Sequence, residues 1–97
     1  MKIKILASAL EDLHAGRQFY DNQVDGVGEY FFDALFADID SLALYAGIHQ
    51  KFFGYHRLLA KRFPYAIYYT MQESTTVIVQ RVLDLRQNPQ KIKAALQ

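Results

Sequence analysis

The spacing of apolar residues changes once along this chain, and that change constrains the fold more than any other feature. Before Gly47 the apolar positions recur every three or four residues, which is typical of amphipathic helices. Beyond a mixed segment that follows Gly47 they alternate or form short continuous runs, which is typical of β-strands. A largely helical first half and a stranded second half predict an α+β fold.

The first half is predicted to contain one strand and two helices. Residues 2–6 alternate lysine with isoleucine, which predicts a half-buried strand whose lysines face water. Ser8 and Glu11 have capping-box spacing, which predicts a first helix over residues 9–24. A glycine-rich turn then leads to a second helix that ends at Gly47. Because their link is short, the two helices are expected to pack as an antiparallel hairpin.

The second half is predicted to contain three strands. Residues 48–56 are expected to form a loop that bends at Gly54, and the alternation in residues 57–61 predicts strand two. YAIYYTM, residues 65–71, is apolar on both faces and therefore predicts a central strand three. VIVQRVL, residues 77–83, predicts strand four.

A short C-terminal helix completes the predicted order. Asn88 and Pro89 have the residue types of a helix cap followed by a first-turn proline. The full order is β-α-α-β-β-β with a short C-terminal helix. Strands two to four are expected to form an antiparallel meander, so the helical hairpin packs on one face of a mostly antiparallel sheet.

The aromatic stretch RFPYAIYY, residues 62–69, allows two interpretations, a base-stacking surface beside an arginine or a buried strand. Alternation along a strand directs most of these rings at helices or neighbouring strands, which favours a core role. Only Arg62, Phe63 and Tyr65, at the start of the stretch, are predicted to reach a partner.

Composition predicts one soluble domain spanning residues 1–97. A chain of 97 residues with 52% hydrophobic content can build one core but cannot divide it into two. The absence of cysteine excludes disulfides and thiolate metal sites and suits a reducing compartment. Since no segment approaches the roughly 20 apolar residues that span a bilayer, and no signal peptide is recognisable, a cytoplasmic location without membrane contact is expected.

Charge is distributed unevenly between the two halves although the net charge is only +1. Residues 1–50 carry three basic and eight acidic side chains, whereas residues 51–97 carry eight basic and two acidic ones. An acidic side and a basic side are therefore expected. A basic surface attracts a phosphate or an acidic protein segment equally well, so both kinds of partner stay open.

The histidines offer weak candidates for catalysis. His14 is predicted on the polar side of the first helix. His49 and His56 lack the ligand spacing of a zinc site, so no metal is expected. His56 beside Arg57 has the chemistry of a proton shuttle at a phosphate site, but a loop histidine bonded to a carbonyl is the simpler interpretation.

The basic residues are the stronger candidates. Arg57 and Lys61 are predicted on one side of strand two, and Arg81 on strand four; together they suit either a phosphate-binding surface or a solvated sheet face. Arg86 is expected to pair with Asp84 rather than to act catalytically.

The acidic pairs and the missing motifs narrow the chemistry further. Glu11 with Asp12 and Asp38 with Asp40 are predicted to lie on solvated helix faces. The sequence contains no glycine-rich phosphate loop and no nucleophile turn, so no cofactor is predicted.

Four segments together resemble the RelE/ParE superfamily, the toxins of bacterial type II toxin–antitoxin modules. They are SALEDLHAGRQFYDNQ, GVGEYFFDAL, HRLLAKRFPYAIYY and VQRVLDLRQNPQKI. The last two are the most specific, because an F-P-Y-x-I-x-Y strand followed by V-L-D-x-R-x-x-P is similar to the ParE-like, plasmid-stabilisation branch. The resemblance covers nearly the whole chain and implies a RelE/ParE-like fold.

The superfamily includes two activities, and the resemblance implies a choice between them. RelE-like members are ribosome-dependent mRNA endonucleases that use a cluster of lysine, arginine and a late tyrosine, whereas ParE-like members inhibit DNA gyrase. By resemblance, Arg57 and Arg86 occupy two of the cationic positions of the endonucleases. Leu59, Ala66 and Ile92 stand where further cations and the tyrosine are expected. Since each lost donor removes roughly 2–4 kcal/mol of transition-state stabilisation, the nuclease activity is disfavoured.

The resemblance therefore implies a gyrase-directed toxin that a cognate antitoxin neutralises in a hetero-oligomeric complex. The predicted partner-binding residues are all basic: Arg57, Lys61, Arg62, Arg81 and Arg86. Two alternatives stay open. One is an mRNA endonuclease acting on the ribosome with His56, Arg57, Lys61 and Arg86, and the other is a degenerate member that only binds antitoxin.

Overall fold

A computed structural model describes all 97 residues. The helices and strands follow in this order: β1 Lys2–Ile5, α1 Ala7–Gln23, α2 Val27–Asp40, α3 Leu42–Tyr45, β2 Lys51–Phe52, β3 Tyr55–Leu59, β4 Tyr65–Gln72, β5 Thr76–Asp84 and α4 Pro89–Ala95. The predicted α+β class, the order of elements and the C-terminal helix are confirmed.

The sheet has five strands in the order β1-β5-β4-β3-β2. Strands β3 to β5 form the predicted antiparallel meander, β2 extends it beside β3, and β1 joins its other edge parallel to β5. The central strand is β4, as its apolar character on both faces predicted. The register between β4 and β5 shifts at Tyr68 and Tyr69, and this bulge leaves Gln80 without a directly opposite residue.

Helices cover both faces of the sheet, whereas the sequence predicted helices on only one face. On one face α1 and α2 pack over residues that include Ile67, Tyr69 and Val79. On the other face, Ile92 of α4 packs against a smaller cluster that contains Ala66 and Tyr68. Two-sided burial explains why residues 65–69 are all buried, and it confirms that RFPYAIYY is mainly core.

Two glycines allow α1 and α2 to lie against each other. A Cβ on Gly16 would stand 2.5 Å from a ring carbon of Phe31, so only glycine fits beneath that ring. Gly26 adopts a φ of 89° just before α2, a conformation that glycine tolerates best. The side chain of Asp21 accepts hydrogen bonds from the backbone N–H groups of Gly26 at 3.2 Å and Gly28 at 2.9 Å. These contacts form the hairpin that the sequence predicted.

The start of α1 differs from its prediction. Helix α1 begins at Ala7, and the capping role assigned to Ser8 is wrong, because its hydroxyl donates to the carbonyl of Gln80 at 2.8 Å. Strand β1 ends at Ile5, so β5 loses its strand neighbour there. Beyond this point, side chains of α1 form hydrogen bonds with that edge of β5. One turn after Ser8, the carboxylate of Asp12 accepts a hydrogen bond from the N–H of Val82 at 3.0 Å.

The region between the helical and stranded halves also differs. The predicted second helix is interrupted at Ser41, which separates α2 from α3. Part of the predicted loop 48–56 is strand, since β2 pairs with β3 around a two-residue turn at Phe53 and Gly54. Predicted strand two, residues 57–61, therefore corresponds to β3, which begins and ends two residues earlier. None of the four helices combines the length and apolar character that crossing a bilayer requires.

Candidate functional site

Arg57 is a partly buried cation without a protein acceptor. Pairing with Tyr68 of β4 places it on the face of the sheet that α4 covers. Its guanidinium carbon lies 3.6 Å from the ring centroid of Phe52. Its Nε is buried and has no hydrogen-bond partner. A buried donor without an acceptor costs about 1–3 kcal/mol, and a cation–π contact contributes about 0.5–2 kcal/mol against that cost.

An apolar groove opens beside this arginine, and we refer to it as the Arg57 groove. Its lining is Phe52, Phe53, Arg57, Tyr68, Leu85, Pro89 and Ile92, with Arg57 the one charged member. Phe53 is 51% exposed, and so is Leu59, which lies two residues beyond Arg57 on the same face of β3. The groove thus combines a single positive charge with accessible apolar surface.

Arg81 stands on the same face of the sheet but is neutralised inside the protein. It pairs with Tyr68 across β5 and β4, so β4 separates it from Arg57. Its Nε and Nη2 donate to the two carboxylate oxygens of Asp12 at 2.7 and 2.9 Å, and Nη1 donates to the carbonyl of Ala95 at 3.1 Å. The hydrogen bonds to Asp12 raise the pKa of Arg81.

Asp12 is therefore a structural residue, and its predicted place on a solvated face is wrong. Its side chain is only 15% exposed and joins α1 to β5 through Arg81 and the N–H of Val82. Asp38 is a second such case, being 6% exposed and accepting the N–H of Lys61 at 3.1 Å. Asp40 is exposed as predicted.

Arg86 forms the predicted pair with Asp84. Two of its guanidinium nitrogens donate to the Asp84 carboxylate at 2.8 and 3.0 Å, and Nη2 also reaches the hydroxyl of Tyr20 at 3.2 Å. The hydrogen bond from Arg86 lowers the pKa of Asp84. Burial, followed by the charge of Asp84, raises the pKa of the nearby Tyr65 to about 12. Arg86 thus contacts α1 through Tyr20, and it does not line the Arg57 groove.

Lys61, Arg62 and Tyr65 end in different surroundings. Lys61 lies after β3, and both Lys61 and Arg62 have exposed side chains in the turn that leads to β4. Tyr65 is 7% exposed, so the prediction that it reaches a partner is wrong. It packs against Phe31, with 4.9 Å between ring centroids.

His56 faces away from the Arg57 groove. Because neighbouring residues on a strand point to opposite faces, His56 lies on the side of β3 opposite Arg57. Its Nδ1 donates to the carbonyl of His49 at 2.6 Å, and its ring stacks on Tyr69 with 5.1 Å between centroids. The predicted bond to a carbonyl is confirmed, although His56 belongs to β3 and not to a loop.

His49 joins the same cluster through the hydroxyl of Tyr69, which also accepts the N–H of Gly47 at 2.9 Å. Burial, followed by the charge of His56, lowers the pKa of His49, and burial raises the pKa of Tyr69. No group of three or more His, Cys, Asp or Glu side chains is arranged to hold a metal ion.

The predicted site residues are thus only partly brought together. Arg57 and Arg81 share one face of the sheet, Arg86 contacts α1, and His56 lies on the opposite face. The roles of Asp12 and Tyr69 escaped sequence analysis because their partners lie 69 and 20 positions away. One signal was available in the sequence. Asp12 lies one helical turn after Ser8, on the same face of α1, and that face is not part of the apolar stripe.

Comparison with known proteins supports the fold and identifies the family. The family model described as the ParE toxin of the type II toxin–antitoxin system, parDE, matches residues 3–89. A search of curated proteins finds no match. Among solved structures, the chain is similar to the "Chromosomal ParDE TA system from P. aeruginosa", with a TM-score of 0.80 and 16% identity. That likeness covers 89% of this chain and 97% of the other.

Proposed function

The chain belongs to the ParE toxin family of type II toxin–antitoxin systems, and from that premise we propose that it inhibits DNA gyrase by protein–protein contact and is neutralised by a cognate antitoxin. It acts in the bacterial cytoplasm and forms a hetero-oligomer with that antitoxin. In a plasmid-borne module this pair of activities would serve plasmid stabilisation.

One observation supports contact with a protein over RNA cleavage: the cations that the resemblance aligns with a nuclease site are dispersed. Arg57 lies in the Arg57 groove, whereas Arg86 is bound to Asp84 and contacts α1. A phosphodiester-cleaving centre needs several donors converging on one phosphorane. At the remaining aligned positions Leu59, Ala66 and Ile92 supply no side-chain donor.

Antitoxin binding is supported by the exposed basic residues and by the open Arg57 groove. Lys61 and Arg62 are exposed beside β4, where they can attract an acidic chain. Disordered segments that fold on binding can place apolar side chains in such a groove. The similar structure from P. aeruginosa is described as a ParDE toxin–antitoxin system, which is consistent with such a partner.

The gyrase proposal is tested with purified protein in a DNA supercoiling assay. Supercoiling by gyrase is expected to fall as the protein approaches equimolar amounts, and linear DNA is expected to accumulate. A translating extract supplied with the same protein provides the second arm, with mRNA 5′ ends mapped. Cuts within codons, together with unaffected supercoiling, would replace gyrase inhibition with the endonuclease activity. Inactivity in both assays would favour a member that only binds antitoxin.

A further inference from the structure

We propose that the Arg57 groove is a binding site for one acidic side chain of a partner peptide, an Asp or Glu flanked by apolar residues. The proposal rests on the proposed function for the source of the peptide, which is the neutralising segment of the antitoxin. The charge of Arg57 would meet the carboxylate, while Phe53, Leu85 and Ile92 would contact the neighbouring apolar side chains.

The unpaired guanidinium is the first argument for this occupant. Arg81 and Arg86 each find a carboxylate within the chain, but no acidic residue lines the Arg57 groove. Arg57 therefore has no carboxylate partner within the chain, and a partner's carboxylate can supply one at the guanidinium nitrogens that are not buried. A carboxylate suits this need because arginine binds it through parallel, charge-assisted hydrogen bonds.

The turn at Phe53 is the second and independent argument. Phe53 and Gly54 have φ values of 55° and 87° and form a two-residue turn between β2 and β3, a geometry that favours Asn-Gly. A phenylalanine in this conformation is strained, and half of its surface is exposed. Folding does not explain this choice of residue, whereas an apolar contact at the rim of a binding groove does.

The lining of the groove favours a peptide over single-stranded RNA. Bases bind by stacking on accessible aromatic faces, but one face of Phe52 is covered by Arg57, Tyr68 is only 1% exposed, and Phe53 alone offers a half-exposed ring. A sugar–phosphate backbone also requires a row of cations, and Arg57 is the one cation that lines the groove. One charge amid apolar side chains matches one carboxylate amid apolar side chains.

The proposal is tested with the full chain and a synthetic nonapeptide, acetylated and amidated, that carries one central glutamate between two leucines on each side and serine elsewhere. Titration followed by ¹⁵N NMR is expected to shift the Nε–H signal of Arg57 and the amides of Phe52 and Phe53. Replacing the glutamate by glutamine is expected to weaken binding at least about tenfold. A single-stranded RNA heptamer is expected to leave these signals in place.

Two variants separate binding from folding. Arg57→Met is expected to abolish the preference for glutamate, and Phe53→Asn to weaken the peptide severalfold, while both keep the melting temperature of the parent or raise it. Arg17→Met is the matched control, because Arg17 also lies over a ring, that of Phe32 at 5.0 Å, but on α1. Its peptide binding is expected to be unchanged.

The following outcomes would overturn the proposal: equal affinity for the glutamate and glutamine peptides, no binding at millimolar peptide, shifts that map elsewhere, or RNA shifting the Arg57 signal more than peptide. Binding that required a free C-terminal carboxylate would also exclude a side-chain carboxylate as the occupant. The titration contains no gyrase, so a failed supercoiling assay would leave its result intact, and a failed titration would leave gyrase inhibition standing.

Discussion

Arg57 and Arg81 share the α4-facing side of the sheet, two strands apart, yet only one of them has hydrogen-bond acceptors within the protein. Arg81 is held by both oxygens of Asp12 and by a backbone carbonyl, whereas Arg57 has an aromatic ring and no acceptor. A neutralised arginine that joins two elements contributes to folding. An unpaired arginine beside exposed apolar surface is the combination that the proposed acidic partner would complete.

Loss of Asp12 is expected to cause the greatest destabilisation. Asp12→Ala leaves the guanidinium of Arg81 and the N–H of Val82 without their acceptor and removes the link between α1 and β5. We expect the free energy of unfolding to fall by about 3 kcal/mol, a figure limited by the 29% exposure of Arg81. Urea denaturation measures it, with Asp40→Ala on an exposed site as the control. A loss under about 1 kcal/mol would contradict the structural role of the pair.

The same pair is expected to show strong coupling in a double-mutant cycle. Once Asp12 is alanine, replacing Arg81 by methionine removes the unpaired charge, so Asp12→Ala with Arg81→Met should unfold less readily than Asp12→Ala alone. We expect a coupling of about 3 kcal/mol from the four urea curves of the cycle. Additive losses would mean that the hydrogen bonds between Arg81 and Asp12 contribute little.

Phe53→Asn is expected to have a smaller effect of the opposite sign. Asparagine tolerates positive φ better than phenylalanine, and the exposed ring contributes little burial. We expect the free energy of unfolding to rise by about 0.5 kcal/mol, measured by thermal denaturation. A marked loss of stability would instead show that the Phe53 ring packs for folding, and would remove the argument from its strained turn.

Arg86→Gln is expected to have the smallest effect and a characteristic pH dependence. Arg86 lowers the pKa of Asp84 in the folded state, so the pair stabilises the protein above the pKa of Asp84 in the unfolded chain. That contribution is lost as pH falls through the lowered pKa of the folded state. Since the arginine is 51% exposed, we expect a difference of about 0.3 kcal/mol at neutral pH that disappears in acid. A difference that persisted in acid would exclude this pair as its source.

The sequence was most informative where a local pattern alone determined the structure. The doubly apolar run at residues 65–71 predicted the central strand, and Asn88 with Pro89 predicted the start of α4, where the Asn88 side chain accepts the N–H of Gln90 at 2.8 Å. Both patterns depend on neighbours in sequence, so they can be read without knowing the rest of the fold.

Long-range contacts defeated the other predictions. Ser8 has capping-box spacing, but its hydroxyl instead donates a hydrogen bond to a carbonyl of β5 that lies beyond the end of β1. Asp12 and Asp38 looked like surface carboxylates because their donors lie far along the chain. The turn at Phe53 lacks the Asn-Gly signal, which is why β2 went unrecognised. The dispersion of Arg57, Arg86 and His56 could be seen only once the strand faces and α1 were placed.

The contrast between the two arginines is tested most directly by measuring the free energy of unfolding of Arg57→Met beside that of Arg81→Met. We predict that Arg57→Met equals or exceeds the parent chain in stability, because it replaces an unpaired, partly buried charge with an apolar side chain of similar length. Arg81→Met is predicted to lose about 2 kcal/mol, because Asp12 then lacks its main donor. Equal destabilisation by both substitutions would contradict the assignment of Arg57 to a partner.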